Sequence, residues 1–176
     1  MKKIKLFIAM SLDGYIADCN GGVGWLSGHG SDEENMDSYS AFVEDIDTII
    51  MGYNTYNQIV TELSPTKWIY DNFTTYVITS KNKTSTDKIK FCNQSPKQLL
   101  NILREKGGKD IWICGGANIV QQLVKEDLID EYYVTVIPTI LGCGIRLFDY
   151  VNHEIQLKLV KTQSYNGMVD LVYTKR

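Results

Sequence analysis

The sequence predicts a single α/β domain with a mixed β-sheet, parallel in its core and antiparallel at its C-terminal edge. Strand-like apolar segments alternate with helical patterns over the first two thirds of the chain, as in sheets whose parallel strands are joined by helices. Near the C-terminus, Asn166-Gly167 separates two alternating segments and predicts an antiparallel hairpin. We therefore expect residues 1–176 to form one domain.

Two buried strands are predicted in the first part of the chain. Residues 4–10 and 46–51 are nearly continuous apolar runs, the pattern of strands covered on both faces. Between them, the glycine-rich loop at 19–30 is of a kind that is usually functional or mobile. Ser-x-x-Glu at 31–34 is a capping box that predicts a helix to about residue 44.

The later elements follow from the same local signals. A helix is expected from Pro96, since Ser95 and Gln98 form a second capping box, and it should stop at Gly107-Gly108. Residues 140–148 are expected to be a glycine-punctuated loop. The remaining strand predictions cover residues 74–79, 89–92, 131–137, 154–163 and 168–175.

The stretch at 110–120 carries the first functional signal. An apolar strand pattern runs into Gly115-Gly116 and continues as a helix, a geometry that lets backbone amides approach an anion. A single Gly-Gly is more often an ordinary turn, but the 46–51 strand enters a second helix through Gly52 in the same way. Two such junctions in one sheet favour a dinucleotide.

Composition excludes several classes of function. The chain has 44% hydrophobic residues and a net charge of −3, without a basic run, which argues against a nucleic-acid partner. No segment is long enough for a membrane span or has the form of a signal peptide, so we expect a cytoplasmic, reduced protein. We expect no metal site, because metal-ligand spacing is lacking among Cys19, Cys92, Cys114, Cys143, His29 and His153.

Four motifs in order resemble a known family: SLDGYIA at 11–17, IDTIIMGYNTY at 46–56, IWICGGANIVQQLV at 111–124 and LIDEYYVTVIPTILGCGIRLF at 128–148. The chain is similar to dihydrofolate reductase-fold proteins, and more closely to the C-terminal reductase domain of the bifunctional riboflavin-biosynthesis deaminase–reductase and its stand-alone relatives. The resemblance implies a three-layer fold and an NADPH-dependent reductase. Its hydride acceptor would be a small heterocycle, either a riboflavin-pathway ribosylaminopyrimidine or a pterin-like compound.

The resemblance also implies cofactor contacts. At the nicotinamide end it implies a mobile lid at 17–26 and contacts from Ala9, Ile16 and Trp25. At the pyrophosphate it implies two groups, the first being Gly52, Asn54 and Thr55, and the second Cys114, Gly115, Gly116, Ala117, Asn118 and Ile119. At the adenosine 2′-phosphate it implies Thr79, Ser80 and Lys81, where lysine is a suitable point charge and a solvated loop is the alternative.

Two departures from the family pattern matter. Tyr53 stands where the family usually has arginine, so a cation near the cofactor phosphates is missing and NADH is not excluded as the cofactor. The zinc-binding signature of the deaminase half is absent from the sequence. A riboflavin-pathway role would therefore be confined to the reduction.

The proton donor has three candidates, each with a simpler interpretation. Asp13 is also suited to forming a turn, Asp37 to a solvated helix face, and Thr135 to a strand. Arg146 is either solvated or binds a substrate phosphate. A competing hypothesis is an NAD(P)H-binding or sensing protein without turnover. The C-terminal hairpin and exposed tyrosines also suggest a homodimer.

Overall fold

The computed structural model describes residues 1–29 and 38–176. The elements in these ranges are β1 (Ile4–Ser11), β2 (Tyr15–Ala17), α1 (Ser38–Val43), β3 (Ile46–Gly52), α2 (Tyr53–Gln58), β4 (Thr74–Ile78), β5 (Ile89–Cys92), α3 (Pro96–Arg104), β6 (Asp110–Gly115), α4 (Ala117–Lys125), β7 (Glu131–Ile137), β8 (Ile145–Arg146), β9 (Leu157–Tyr165) and β10 (Met168–Lys175). A π-helical turn over Ile59–Leu63 extends α2. No helix in these ranges combines the length and apolar character needed to span a membrane.

The main sheet has the predicted mixed topology. Its strand order is β5-β4-β3-β6-β1-β7-β10-β9. The pairs from β5 to β7 are all parallel, whereas β10 runs antiparallel to both β7 and β9. All six parallel strands therefore end at the same edge of the sheet.

Two apolar layers cover the sheet and complete a three-layer fold. Side chains of α3 and α4, such as Leu100 and Val120, pack with Ile113 against one face. On the other face Phe42 of α1 packs with Trp112. Neighbouring β6 residues serve opposite layers because successive side chains of a strand alternate between faces.

The helix signals are confirmed where the structure describes them. Ser95 Oγ accepts a hydrogen bond from the Gln98 amide at 3.3 Å, and Gln98 Oε1 accepts one from the Ser95 amide at 3.0 Å, so the predicted capping box starts α3. The capping box expected at 31–34 lies outside the described residues. The described part of its helix is α1.

One short strand pair corrects the prediction of a loop at 140–148. Strand β8 pairs antiparallel with β2, and the Arg146 guanidinium lies 4.8 Å from the centre of the Tyr15 ring. The same pairing brings Cys19 close to Cys143, and the two form a disulfide across 124 residues, with a Cα–Cα distance of 5.8 Å. The expectation of fully reduced cysteines is wrong for this pair, because sequence spacing does not report contacts between distant segments.

A buried ion cluster holds the start of the central strands. The Lys5 ammonium, in a strand predicted to be apolar, lies 3.0 Å from Asp110 and 3.7 Å from Glu131. The Lys5 side chain is only 6% exposed. Burial acts against its charge, but the hydrogen bond to Asp110 and the neighbouring carboxylates outweigh burial and raise the pKa of Lys5. Lys5 thus links β1 to β6 and β7.

We predict that Lys5→Met lowers the free energy of unfolding by about 3 kcal/mol, because it leaves the largely buried Asp110 carboxylate without its cation, whereas Glu131 keeps its ion pair with Lys3. Urea denaturation followed by circular dichroism measures this loss. The matched control is Lys97→Met, which removes an exposed pair with Glu126 and should cost less than about 1 kcal/mol. Equal losses in the two variants would contradict the role of the cluster.

Candidate functional site

A cleft of about 1080 Å³ lies along the edge where the parallel strands end. It is bordered by the ends of β1, β3 and β6, by the first residues of α2 and α4, and by the loop that follows β2. In open α/β sheets this edge is where ligands bind, because helix N-termini and strand ends meet there. The size is sufficient for a dinucleotide-sized ligand.

The two glycine junctions pack closely against each other at this cleft. A methyl group added to Gly52 would lie 3.5 Å from the Ile119 side chain and 3.9 Å from the Gly116 amide nitrogen. One added to Gly116 would lie 3.1 Å from Thr55 Oγ1. Gly115 has a φ of 129°, a conformation that side-chain-bearing residues rarely adopt. Because side chains are absent here, the two helix starts approach each other closely and form a cradle of exposed backbone at the cleft.

The structure brings most of the predicted cofactor residues together. Those that line the cleft are Ala9, Ile16, Gly52, Asn54, Thr55, Cys114, Gly115, Gly116, Ala117, Asn118 and Ile119. Helix α4 begins at the cradle without a side-chain cap on its first amides, and such a helix start is an anion-binding arrangement. The contacts that these residues make with a cofactor stay predictions.

The predicted lid loop lines the cleft through residues other than Trp25. Gly21, Val23 and Leu26 line the cleft, whereas Trp25 is absent from its lining. The Trp25 indole N–H instead donates to the Gly22 carbonyl at 3.2 Å and braces the loop. The loop is also held to α2, since the Gln58 side-chain amide donates to the Gly21 carbonyl at 3.0 Å.

The residues predicted at the 2′-phosphate lie beside the cleft, at its α2 end. Thr79, Ser80 and Lys81 follow β4 and are not part of the lining. Tyr53 is part of it, and the Lys81 ammonium lies 4.0 Å from the centre of the Tyr53 ring. The Lys83 ammonium lies 5.7 Å from the same ring. Two lysine ammonium groups therefore lie near the Tyr53 ring, at the position where the family usually has one arginine.

Asp13 has the bonding of a turn former. Its carboxylate accepts hydrogen bonds from the Ser11 hydroxyl at 2.6 Å, the Leu141 amide at 3.1 Å and the Gly142 amide at 2.8 Å. The pKa of Asp13 is lowered to about 2, mainly by the hydrogen bond from the Ser11 hydroxyl and further by those from the two amides. Asp13 is therefore ionised at neutral pH and holds the turn after β1, which disfavours it as a proton donor.

Thr135 is part of a polar cluster, while Asp37 lies outside the described residues. The Thr135 hydroxyl donates to Asp170 Oδ1 at 2.6 Å. Asp170 also accepts from the Gln163 side-chain amide at 3.0 Å and from the Tyr165 hydroxyl at 3.4 Å. Burial is the main cause of the raised pKa of Tyr165, so the Tyr165 hydroxyl stays protonated and can donate a hydrogen bond.

Asp170 is not among the residues that the sequence predicts to be functional, although its position in an apolar strand is a signal. It is a single carboxylate within the apolar run of β10, and it is only 7% exposed. A charge at such a position is rarely tolerated unless it has partners or a function. Its main partner, Thr135, is 35 residues away in sequence, so only the pairing of β7 with β10 connects them.

The cluster forms one wall of a second cavity of about 150 Å³. This cavity lies between α1 and the face of the sheet formed by β1, β7, β9 and β10. Phe7 borders both the cavity and the large cleft. In the β1–β7 pairing, Thr135 is the partner of Ala9, which lines the large cleft. The two spaces are therefore neighbours.

Cys114 is not suited to nucleophilic chemistry. Burial raises the pKa of its thiol to about 11, and a hydrogen bond of 3.8 Å to the Tyr70 hydroxyl opposes that shift only in part. The thiol is therefore protonated at neutral pH. Within the described ranges, no cluster of three or more His, Cys, Asp or Glu side chains could hold a metal ion.

Comparisons with known proteins agree with this geometry. The family model of the RibD C-terminal domain matches residues 2–171. The uncharacterized protein YwjB of Bacillus subtilis (strain 168) is 37% identical over 177 residues, which cover 99% of this chain and 98% of YwjB.

Two solved structures share the fold. A Shewanella sp. PV-4 protein named for riboflavin biosynthesis is 28% identical with a TM-score of 0.86, and the match covers 99% of each chain. Dihydrofolate reductase of Enterococcus faecalis, complexed with NADP(H), has a TM-score of 0.68 at 17% identity, over 99% of this chain and 96% of the reductase. The sequence match and the dihydrofolate reductase-like fold together show that this chain belongs to the RibD C-terminal domain family.

Proposed function

We propose that this protein is an NADPH-dependent reductase that transfers a hydride to a small heterocyclic substrate. The observation that carries the proposal is the cradle formed by the two closely packed glycine junctions, Gly52 and Gly115-Gly116, at the end of the parallel strands. Because the two glycine junctions lie close together, the backbone amides at both helix starts can converge on one pyrophosphate.

Family membership supports the proposal. The fold-related Enterococcus faecalis enzyme is a reductase complexed with NADP(H), and the Shewanella protein is named for riboflavin biosynthesis. We therefore propose an acceptor similar to a riboflavin-pathway ribosylaminopyrimidine, of the 5-amino-6-(5-phosphoribosylamino)uracil type, or to a pterin. We also keep a cytoplasmic location as part of the proposal.

Most of the catalytic work in this proposal is positioning. NADPH, when bound, supplies the hydride from its nicotinamide ring. The chain binds the diphosphate at the glycine junctions, flanks the nicotinamide with Ala9 and Ile16, and excludes water with the loop at 17–26. Of the candidates in the described ranges, Asp13 is ionised and the Thr135 hydroxyl already donates to Asp170, so water or Asp37, which lies outside those ranges, supplies the accompanying proton in this scheme.

One alternative function uses the same cofactor-binding site but involves no reaction. A cofactor-binding or sensing protein of the same fold would need the glycine junctions but no proton donor. It is favoured by the bonding of Asp13 and Thr135, neither of which has a proton free for a substrate. NADPH binding without consumption across pterins, aminopyrimidines and quinone-like acceptors would support this alternative.

We predict that Gly116→Val weakens NADPH binding at least tenfold, because its side chain enters the cradle against Thr55. The fluorescence of NADPH titrated with protein measures the affinity. Gly107→Val is the matched control, since a Cβ at Gly107 meets no atom within 4 Å, and it should bind as the wild type does. The proposal fails if the wild type binds neither NADPH nor NADH at submillimolar concentration.

We predict that Lys81→Met weakens binding of NADPH about tenfold and leaves NADH binding within twofold, because the Tyr53 ring holds this cation for a phosphate monoester. Titration of each variant with both cofactors gives the two affinities. Lys158→Met, an exposed lysine on β9 at the opposite edge of the sheet, is the control. Parallel loss of both cofactors in Lys81→Met would contradict a role in 2′-phosphate recognition.

We further propose that the chain forms a homodimer through the outer edge at β9. Leu159 and Val160 are 49% and 59% exposed on this edge strand, whose outward backbone groups can pair with another strand. Light scattering at micromolar concentration should give about twice the chain mass of 20.0 kDa. Val160→Lys should shift the mass to that of one chain, and a wild type of monomeric mass contradicts the dimer.

A further inference from the structure

A covalent bond ties the loop at 17–26 to the segment before β8. Cys19 lies in this loop, and Cys143 lies in the connection between β7 and β8. The two form the disulfide, with their Cα atoms 5.8 Å apart, and both residues are exposed. An exposed disulfide can be attacked by a thiolate from solution, whereas one enclosed in a core is shielded.

Cys19 belongs to a tight turn that is built around Asp18. The Asp18 carboxylate accepts hydrogen bonds from the amides of Asn20 and Gly22, each at 2.8 Å. The Asp18 amide donates to the Gly22 carbonyl, and the Gly21 amide donates to the Asp18 carbonyl, each at 3.0 Å. Because these bonds hold the turn together, a constraint on Cys19 is a constraint on the whole turn.

This turn and the residues after it form one wall of the large cleft. Gly21, Val23 and Leu26 are part of the lining. The Gln58 side-chain amide donates to the Gly21 carbonyl at 3.0 Å and holds the turn against α2. A single hydrogen bond contributes little net free energy, since water competes for both groups. The disulfide is therefore the stronger of these two ties.

Cys143 lies on a segment that is fixed to the body of the protein. The Asp13 carboxylate accepts hydrogen bonds from the amides of the two residues before Cys143, at 3.1 and 2.8 Å. Strand β8 begins two residues after Cys143 and pairs with β2. Between them, a Cβ on Gly144 would overlap the Ala17 carbonyl oxygen, so the two backbones are in close contact. The disulfide thus joins the turn at the cleft to a fixed anchor.

The other two cysteines are poor competitors for thiol chemistry. Cys92 and Cys114 are free thiols. Burial raises the pKa of both, that of Cys114 to about 11, so they carry little thiolate at neutral pH. Exchange with a thiol in solution is therefore directed to the exposed pair.

We propose that Cys19 and Cys143 form a thiol–disulfide exchange site that fixes one wall of the large cleft when oxidised and releases it when reduced. The reaction partner is a dithiol. A consequence for cofactor binding rests on the proposed function, whereas the exchange reaction and the release of the loop do not.

The exchange is balanced in electrons and protons. A thiolate of the dithiol attacks one Sγ of the pair, the bond between Cys19 and Cys143 breaks, and the other cysteine leaves as a thiolate that takes up a proton. The second thiolate of the dithiol attacks the dithiol's own sulfur in the mixed disulfide and releases the remaining cysteine, which is also protonated. The dithiol loses two electrons and two protons to the pair and becomes a disulfide. The same dithiol in its oxidised form reverses the reaction.

The test compares two forms of the full chain without cofactor, one oxidised with glutathione disulfide and one reduced with dithiothreitol. Peptide mass spectrometry should find Cys19 linked to Cys143 in the first form, and both alkylated by iodoacetamide in the second. In hydrogen exchange, the amides of residues 18–26 should exchange about tenfold faster in the reduced form, while those of β3 keep their rate.

Three results overturn the proposal. The first is the absence of the Cys19–Cys143 link after oxidation. The second is equal exchange of residues 18–26 in the two forms. The third is an equal acceleration in β3, because it indicates a disulfide that stabilises the whole fold and does not act on the loop.

Variants separate this pair from the other cysteines. In Cys143→Ser, residues 18–26 should exchange at the rate of the reduced wild type, with or without dithiothreitol. Cys19→Ser should give the same result and replaces Cys143→Ser if that variant does not fold. The matched control is Cys92→Ser, which keeps a group able to donate to the Val77 carbonyl and should respond to reduction as the wild type does. A response that persists in both Cys143→Ser and Cys19→Ser contradicts the assignment.

Failure of this site and failure of the proposed function give different results. The reduced form should bind NADPH several-fold more weakly than the oxidised form, because the loop must then be ordered on binding. If NADPH binds but loop exchange does not depend on reduction, the exchange site is wrong and the reductase proposal stands. If reduction releases the loop but neither NADPH nor NADH binds to either form, the exchange site stands and the reductase proposal is wrong.

Discussion

The parallel pairing of β3, β6, β1 and β7 is the constraint on which the rest of the structure depends. Parallel strands end at one edge of their sheet, so strand pairing alone brings segments that are far apart in sequence together at that edge. The pairing of Met51 with Gly115 brings the two glycine junctions together, and the pairing of Ala9 with Thr135 joins the cleft to the second cavity. The candidate site is a consequence of strand register.

The two ends of these strands have different tasks. At their start, Lys5 joins β1 to the carboxylates of Asp110 and Glu131, and the ionic contacts are shielded from water. At their end, glycines and small side chains leave backbone amides open to a ligand. The buried ion pairs of Lys5 thus lie at the edge opposite the cleft. A cleft without its own strong internal contacts can accept a large ligand with little rearrangement.

The antiparallel hairpin adds a buried polar cluster beside the parallel core. Strands β9 and β10 bring Gln163 and Asp170 to Thr135, where their side chains are joined by hydrogen bonds at one wall of the second cavity. Residues of the hairpin can therefore change the second cavity without altering the glycine junctions.

The sequence by itself determined the order and type of most elements, the Gly52 and Gly115-Gly116 junctions and the start of α3, because these depend on local periodicity, backbone freedom and capping. Tertiary structure alone decided the charge cluster at Lys5, the disulfide between Cys19 and Cys143 and the polar cluster at Asp170. Each of these joins residues from distant segments. Their partners become neighbours only when strands pair, and no local pattern encodes which strands those are.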